Sequence, residues 1–361
     1  MRLLLNPRVR TGQGSTRLSR EEFQRRWKQR FYDPAFAVEK ESIDRLAEIA
    51  WQAYEDHRKS PRTRKAGPEF SDPEHELALE WLEAREQIFA AQKQHEDPTS
   101  PSRILLICGS PRTDETCPSE MSKSFPIAKT AKTVMESQLG FQIDLLDLSS
   151  LAAEYGRVIY PCKACVSTAM PLCHWPCSCY PNHYLGQSQD WMNEIYPRWV
   201  AAHGVMIVCP VHWYHSPSVL KLMMDRLVCA DGGNPDPTTT HGKTPEEAKS
   251  IELKGWDYPK HLKGRMFAVI VHGDAVGAER VCGALHDWLM DLELVPAGAT
   301  ALLDRYIGYY EPYATSHEAL DKDDAFMEET KNAARTLLEA VNEMRRGRRE
   351  PGRECPVPRK K

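Results

Sequence analysis

The residues best suited to chemistry follow a short apolar run. Ile104, Leu105, Leu106, Ile107 and Cys108 read as a buried strand, and Gly109-Ser-Pro-Arg112 turns sharply into a segment of helical character. Gly109 permits the turn, which leaves backbone N–H groups pointing outward. Ser110 adds a hydroxyl and Arg112 a permanent positive charge, a combination suited to a phosphate held at a helix N-terminus. Neither G-x-G-x-x-G nor G-x-x-x-x-G-K-[ST] occurs, so the turn fits a single terminal phosphate rather than a pyrophosphate or triphosphate. Many strand-to-helix turns contain Gly-Ser-Pro for structural reasons alone, so the motif draws its weight from two others.

The first of these is Gly204–Ser218, a buried strand broken by Pro210 and followed by the aromatic turn Val211-His-Trp-Tyr-His215. The amphipathic run Val219–Leu227 comes next. In the second, Met266–Gly277, another strand runs out into His272, Gly273, Asp274 and Gly277. Strands that end in polar or Gly-containing loops and are followed by helices belong to open parallel sheets, where ligands bind beyond the carboxyl ends of the strands.

A second concentration of reactive residues lies between these strands. Five of the eleven cysteines, Cys162, Cys165, Cys173, Cys177 and Cys179, are spaced C-x2-C-x7-C-x3-C-x-C. Thiolates so close in sequence can converge on a metal or cluster. Zinc would use Cys162, Cys165, Cys173 and Cys177, with His174 as a substitute ligand. Against this stands the plain reading of cysteine as a small buried hydrophobe, and both readings stay open.

On these residues the chain resembles the NAD(P)H-dependent FMN reductases of the flavodoxin-like fold, over about residues 102–344. Gly109–Arg112 resembles that family's phosphate loop, and Pro210–Ser216 with Leu220–Arg226 its isoalloxazine loop and following helix. His272–Gly277 resembles its third flavin loop. The resemblance implies an α/β doubly wound five-stranded parallel sheet of order 2-1-3-4-5. It further implies FMN as cofactor, NAD(P)H as electron donor and a homodimer or homotetramer. The implied reaction is ping-pong hydride transfer to a small-molecule acceptor: a quinone, an azo or nitro compound, or a flavin.

The implied cofactor contacts are Ser110, Arg112, Pro210, Val211, His212, Trp213, Tyr214, His272, Gly273, Asp274 and Gly277. Backbone N–H groups of residues 211–214 are expected on the pyrimidine edge, and no catalytic side chain is required because the flavin carries the chemistry. The family's phosphate loop passes directly into its helix, whereas here residues 113–121 intervene. Ser119, Ser122, Lys123 and Ser124 therefore all remain candidates for the phosphate. The cysteine-rich insertion resembles that of iron–sulfur flavoproteins, which hold a four-iron cluster there, but lacks their compact C-x2-C-x2-C start. Two competing readings follow: an iron–sulfur flavoprotein acting as electron carrier, and a flavin-free binding module.

The elements that must position these residues lie in an uneven chain. Residues 1–100 read as a helical extension, with Ile43, Leu46, Ala47, Ala50 and Tyr54 on one face of a first helix. A second helix is expected over 74–94, started by Asp72 and Pro73. Residues 101–344 read as the FMN-binding domain, with strands predicted over 103–108, 141–146, 204–209, 265–271 and 295–302. Helices are predicted over 125–138, 188–202, 217–228, 278–291 and 323–344. A cysteine-rich insertion covers 155–187, a loop insertion 230–262, and a basic tail 345–361. After the last strand come Tyr306, Tyr309, Tyr310 and Tyr313, fit for an interface or a lid.

The 361 residues are 41% hydrophobic and 27% charged, a globular composition. The net charge of −4 divides into +7 over residues 1–30, +6 over 345–361 and −17 between them. Basic ends on an acidic body without a nucleic-acid fold signature give no expectation of nucleic-acid binding. No apolar run is long enough for a bilayer and the N-terminal apolar stretch is short, so a cytoplasmic protein without membrane contact is expected.

Overall fold

The computed structural model describes residues 8–348, apart from 57–59, 61, 118, 166–171, 176, 178–189, 231–232, 243, 256–259 and 275. Two compact units divide the chain: Met1–Arg85 with Lys163–Asp190 and Asn234–Asp257, and Glu86–Cys162 with Trp191–Gly233 and Tyr258–Lys361.

In the first unit, α1 (Arg20–Lys28) and α2 (Lys40–Glu55) pack through Phe23, Ala50 and Trp51. The Phe23 ring stacks on Tyr54 at 4.6 Å. Ala47 and Ala50 of the expected stripe are buried and Tyr54 packs beside them, but Trp51 and Ala53 join the buried face and Leu46 is half exposed, because Phe23 and Trp27 of α1 draw Trp51 inward. The expected helix over 74–94 is also corrected. Residues 63–65 (β1, Thr63–Lys65) and 76–78 (β2, Glu76–Ala78) pair antiparallel, and α3 begins only at Leu79 (Leu79–Glu96). Asp72 and Pro73 belong to the hairpin loop, where the Pro73 carbonyl accepts from Gly67 N at 3.0 Å. Ala66, Phe70, Leu77, Trp81 and Leu82 make the apolar cluster that holds this hairpin.

The second unit carries the sheet. Its elements are β3 (Ser102–Cys108), α4 (Ser124–Glu136), β4 (Phe141–Asp147), α5 (Ser150–Ala153), α6 (Met192–Ala201), β5 (Gly204–Pro210) and α7 (Ser218–Arg226). The expected loop insertion 230–262 contains a helix, α8 (Pro245–Lys254), which belongs to the first unit. The second unit continues through β6 (Met266–Gly273), α9 (Ala278–Asp291), β7 (Val295–Pro296), β8 (Leu302–Tyr306), α10 (Ser316–Asp321) and α11 (Asp324–Arg345).

All strand pairs in this sheet are parallel, in the order β4-β3-β5-β6, with β7 and β8 both on the far side of β6. This is the flavodoxin-like order 2-1-3-4-5. The fifth strand differs from expectation. Val295 N donates to Arg265 O at 2.8 Å and Ala297 N to Phe267 O at 2.9 Å, so Pro296 sits with its nitrogen turned away from β6; a 3₁₀ turn at Ala299–Ala301 then interrupts the strand before pairing resumes at Leu302. Strand β6 is buried from end to end, and β3 and β5 nearly so, as expected when helices cover both faces. One face packs Ile104, Leu106, Met206, Val208, Ala268 and Ile270 against α4 and α11. Among the described residues no helix is long and apolar enough to cross a membrane.

The end of the sheet opposite the strand carboxyl termini is closed by buried polar contacts. His203 Nδ1 accepts from Arg103 N at 3.0 Å and His203 Nε2 donates to His95 O at 3.0 Å. The two imidazoles stack at 4.7 Å, and Arg265 donates to Val200 O at 2.7 Å. Burial, with the charge of nearby arginines, pushes His95 down to about 3 and His203 to about 4; burial and Arg265 push His261 to about 4.

Two outcomes follow from this packing. At Gly204 a Cβ would lie 2.8 Å from both Ile104 Cδ1 and Val341 Cγ2, so Gly204→Ala should destabilise the fold by about 1–3 kcal/mol, read from a denaturant midpoint. The unfolded chain protonates these histidines near pH 6.5 while the folded chain does not until about 3–4. Their stabilising contribution is therefore complete above 6.5 and lost as pH falls, at up to about 1.4 kcal/mol per histidine per pH unit. A thermal midpoint that drops from pH 6.5 to 4.5 is expected; a flat profile would contradict it.

Candidate functional site

A cleft of about 430 Å³ opens at the carboxyl ends of β3, β5 and β6. The turn after β3 supplies Ser110, Pro111 and Arg112, and the start of α4 supplies Ser122, Lys123 and Ser124. Pro210, Val211 and His212 follow β5, while His272, Gly273 and Asp274 end β6. Of the candidates read from the sequence, these are the residues that the fold brings together. Cys108 and the β5 end meet so closely that a Cβ on Gly109 would stand 2.8 Å from Cys209 Cβ; glycine there lets the turn cross the neighbouring strand. Gly109 N donates to Val208 O at 2.8 Å, and Ser110 Oγ accepts from Arg112 N at 3.3 Å.

The first turn of α4 is the polar focus. Its N-cap, Lys123, has no side-chain capping bond, so the positive end of the helix dipole lies uncapped at the cleft. Ser122 Oγ is buried with no hydrogen-bond partner, which is costly unless something completes it. Lys123 reaches Ile307 O at 3.4 Å, and burial holds its ammonium below the usual lysine range. Ser124 is not available in the same way: its hydroxyl bonds His272 Nε2 at 2.8 Å, and both side chains are buried. Burial, with Lys123 and His212 nearby, pushes His272 down to about 3, so it is a neutral hydrogen-bonding group at ordinary pH. His212 is also held below its ordinary range by burial and Arg112.

Four candidates stand elsewhere. Ser119 does not line the cleft. His212 and His215 exchange backbone hydrogen bonds of 2.8 and 2.9 Å around Trp213 and Tyr214, whose φ values of 46° and 66° make a left-handed two-residue turn. That conformation costs about 1 kcal/mol or more per residue and points Trp213 outward, 93% exposed. Gly277, at φ 114°, backs onto the Tyr214 ring rather than lining the cleft; a Cβ there would be 3.4 Å from Tyr214 Cδ1. The expectation of N–H donors from residues 211–214 is narrowed as well. Val211 N donates to His272 O and His212 N to His215 O, leaving Trp213 and Tyr214 as candidates.

The cleft also contains residues that the sequence reading did not assign to it: Thr116, Met121, Ala152, Ile307, Tyr313 and His317. Tyr313 belongs to the tyrosine cluster already noted, but spacing alone does not show which of four tyrosines turns inward. Tyr310 points away at 95% exposure, and Tyr309 donates to Asp323 Oδ2 at 2.9 Å. Among the proposed metal ligands, Cys173 is buried and Cys162, Cys165 and Cys177 are partly buried, while Cys179 lies outside the described residues. His174 Nε2 lies 3.2 Å from Thr240 Oγ1. Among the described residues no three His, Cys, Asp or Glu side chains are grouped to hold a metal ion.

With this geometry in place, likeness to known proteins can be set beside it. Over 126 residues the chain is 28% identical to an iron–sulfur flavoprotein of Methanosarcina thermophila. That stretch is 35% of this chain and 52% of the other, so the chain spans about half the length of the curated relative it matches. This bears out the resemblance to iron–sulfur flavoproteins read from the sequence. Similar solved structures include RosB with bound 8-demethyl-8-formylriboflavin-5′-phosphate, at 10% identity and TM-score 0.45, covering 69% of this chain and 82% of that one. Another is the FMN-dependent NADH-azoreductase of Bacillus anthracis in complex with FMN, at 20% identity and TM-score 0.38, covering 65% and 100%. Residues 102–307, more than half of the chain, match the family described as NADPH-dependent FMN reductase. The chain belongs to the NADPH-dependent FMN reductase family.

Proposed function

We propose that the cleft binds FMN and that the protein oxidises NADPH to reduce a small-molecule acceptor such as a quinone, an azo or nitro compound, or a second flavin. The observation that carries this reading is the buried, partnerless Ser122 hydroxyl at the uncapped N-terminus of α4, in one cleft with Arg112 and Lys123. The residues fit a phosphate monoester: two cations, a spare hydroxyl and a helix dipole converge where an anion is best stabilised.

When bound, FMN would supply the hydride acceptor for NADPH and then the electron pair for the second substrate, in ping-pong order. The chain's own residues bind and orient. Arg112 and Lys123 neutralise the phosphate, and Ser122 donates to it. The Ser124–His272 bond ties the start of α4 to the end of β6, so the phosphate-binding and ring-binding loops keep a fixed spacing. Asp274, at the cleft with the Lys123 ammonium as a charged neighbour, would accept from a ring N–H. The N–H groups of Trp213 and Tyr214 would face a reduced, anionic ring edge and stabilise its charge. The exposed Trp213 ring offers a flat surface to an aromatic acceptor.

The match to the iron–sulfur flavoprotein favours a second reading, an electron carrier with an additional iron centre. The cysteines among the described residues do not assemble a metal site. Iron and acid-labile sulfide near zero per FMN after anaerobic purification would leave the reductase reading alone; four of each would favour the carrier.

Removing the Arg112 charge should weaken FMN binding by about 10- to 100-fold, and Ser122→Ala by up to about tenfold, measured by fluorescence titration. Unchanged affinity in both would contradict the phosphate assignment. Steady-state NADPH oxidation at several acceptor concentrations should give parallel double-reciprocal lines; intersecting lines would exclude ping-pong order.

A further inference from the structure

The end of the cleft that carries Arg112 is closed by groups from outside the three loops read from the sequence. Arg112 Nη1 donates to the Tyr313 hydroxyl, and the guanidinium lies 5.5 Å from the Tyr313 ring centroid. Glu120 lies beside the same hydroxyl, and its Oε1 stands 3.8 Å from His317 Nε2. The Tyr313 and His317 rings meet edge-on at 6.4 Å. The backbone beneath Tyr313 is pinned: Ser316 Oγ donates to Tyr313 O at 3.0 Å, Thr315 N to Pro312 O at 3.0 Å, and Thr315 Oγ1 to Glu311 Oε2 at 3.0 Å. Tyr313, 45% exposed, thus stands on a pinned backbone with its ring held by Arg112, the cation that would hold the phosphate.

This wall distinguishes two ligand chemistries. A phosphate monoester ends at the phosphorus and needs nothing beyond Arg112. A dinucleotide must continue past it, and its chain would meet the Tyr313 ring. Its second phosphate would meet the Glu120 carboxylate rather than another cation. We propose that Tyr313, braced between Arg112 and Glu120, is a specificity-determining residue that limits this site to flavins ending in a phosphate monoester and rejects flavin dinucleotide. The inference rests on the flavin reading of the cleft given above.

The test is a fluorescence titration of the full chain, stripped of flavin, with FMN and with FAD. Wild-type protein should prefer FMN by about 100-fold, and Tyr313→Ala should shrink that ratio at least about tenfold by gaining affinity for FAD. Tyr313→Phe, which keeps the ring, should retain most of the preference, whereas Glu120→Gln should improve FAD binding about two- to fivefold. A Tyr313→Ala protein that binds FMN with the wild-type ratio overturns the proposal. So does wild-type protein that binds both flavins equally, a result that needs no variant to fold. Wild-type protein that takes up neither flavin instead refutes the flavin reading, and the specificity assignment with it.

Discussion

Parallel pairing is the constraint from which the site follows. Because β3, β5 and β6 run in one direction with aligned registers, their carboxyl ends arrive at a single edge. Three loops far apart in sequence therefore converge there without any contact between their own side chains having to cause it. The close crossing at Gly109 sharpens the effect, since only a residue without a Cβ lets the β3 turn lie against Cys209. The neutral His272, hydrogen-bonded to Ser124, then fixes the helix that follows β3 to the end of β6.

Electrostatically the two ends of the sheet are built in contrasting ways. At the carboxyl end, Arg112, Lys123 and an uncapped helix terminus leave positive potential to be satisfied from outside. At the opposite end, Arg103, Arg265 and Arg345 surround the neutral pair His95 and His203, and Arg265 and Arg345 donate to backbone carbonyls, Val200 O and Ser100 O, at 2.7 Å each, although Arg265 Nε is left without a partner among the described residues. Cations that donate to backbone carbonyls brace the fold; cations beside an orphan hydroxyl in an open cleft suit the anion site proposed above.

Much of this was legible in the sequence, and the exceptions have physical causes. Strands buried on both faces must be continuous apolar runs, so β3, β5 and β6 stand out, and the loops that end them carry the polar residues. The fifth strand is blurred in the sequence because a 3₁₀ turn at Ala299–Ala301 interrupts pairing within an otherwise apolar stretch. The place of Trp51 on the α2 face and the hairpin at 63–78 are not legible locally, because partners distant in sequence, Phe23 for Trp51 and Phe70 for Trp81, decide which side is buried. At the site, residue type identified Ser110, Arg112 and His272, but not the outward turn of Trp213 and Tyr214. That turn needs positive φ at two aromatic positions, a strain no propensity predicts. Tyr313 was visible only as one of a cluster, since the long-range bond from Arg112 selects it.

The measurement that bears most directly on the oxidoreductase assignment to this cleft is an anaerobic titration of the FMN-loaded protein with NADPH, followed by absorbance. A flavin spectrum with two visible bands that bleaches with one equivalent of NADPH and returns on adding a quinone is the expected result. Protein-bound FMN that stays oxidised under excess NADPH, or a chain that retains no FMN at all, would contradict it.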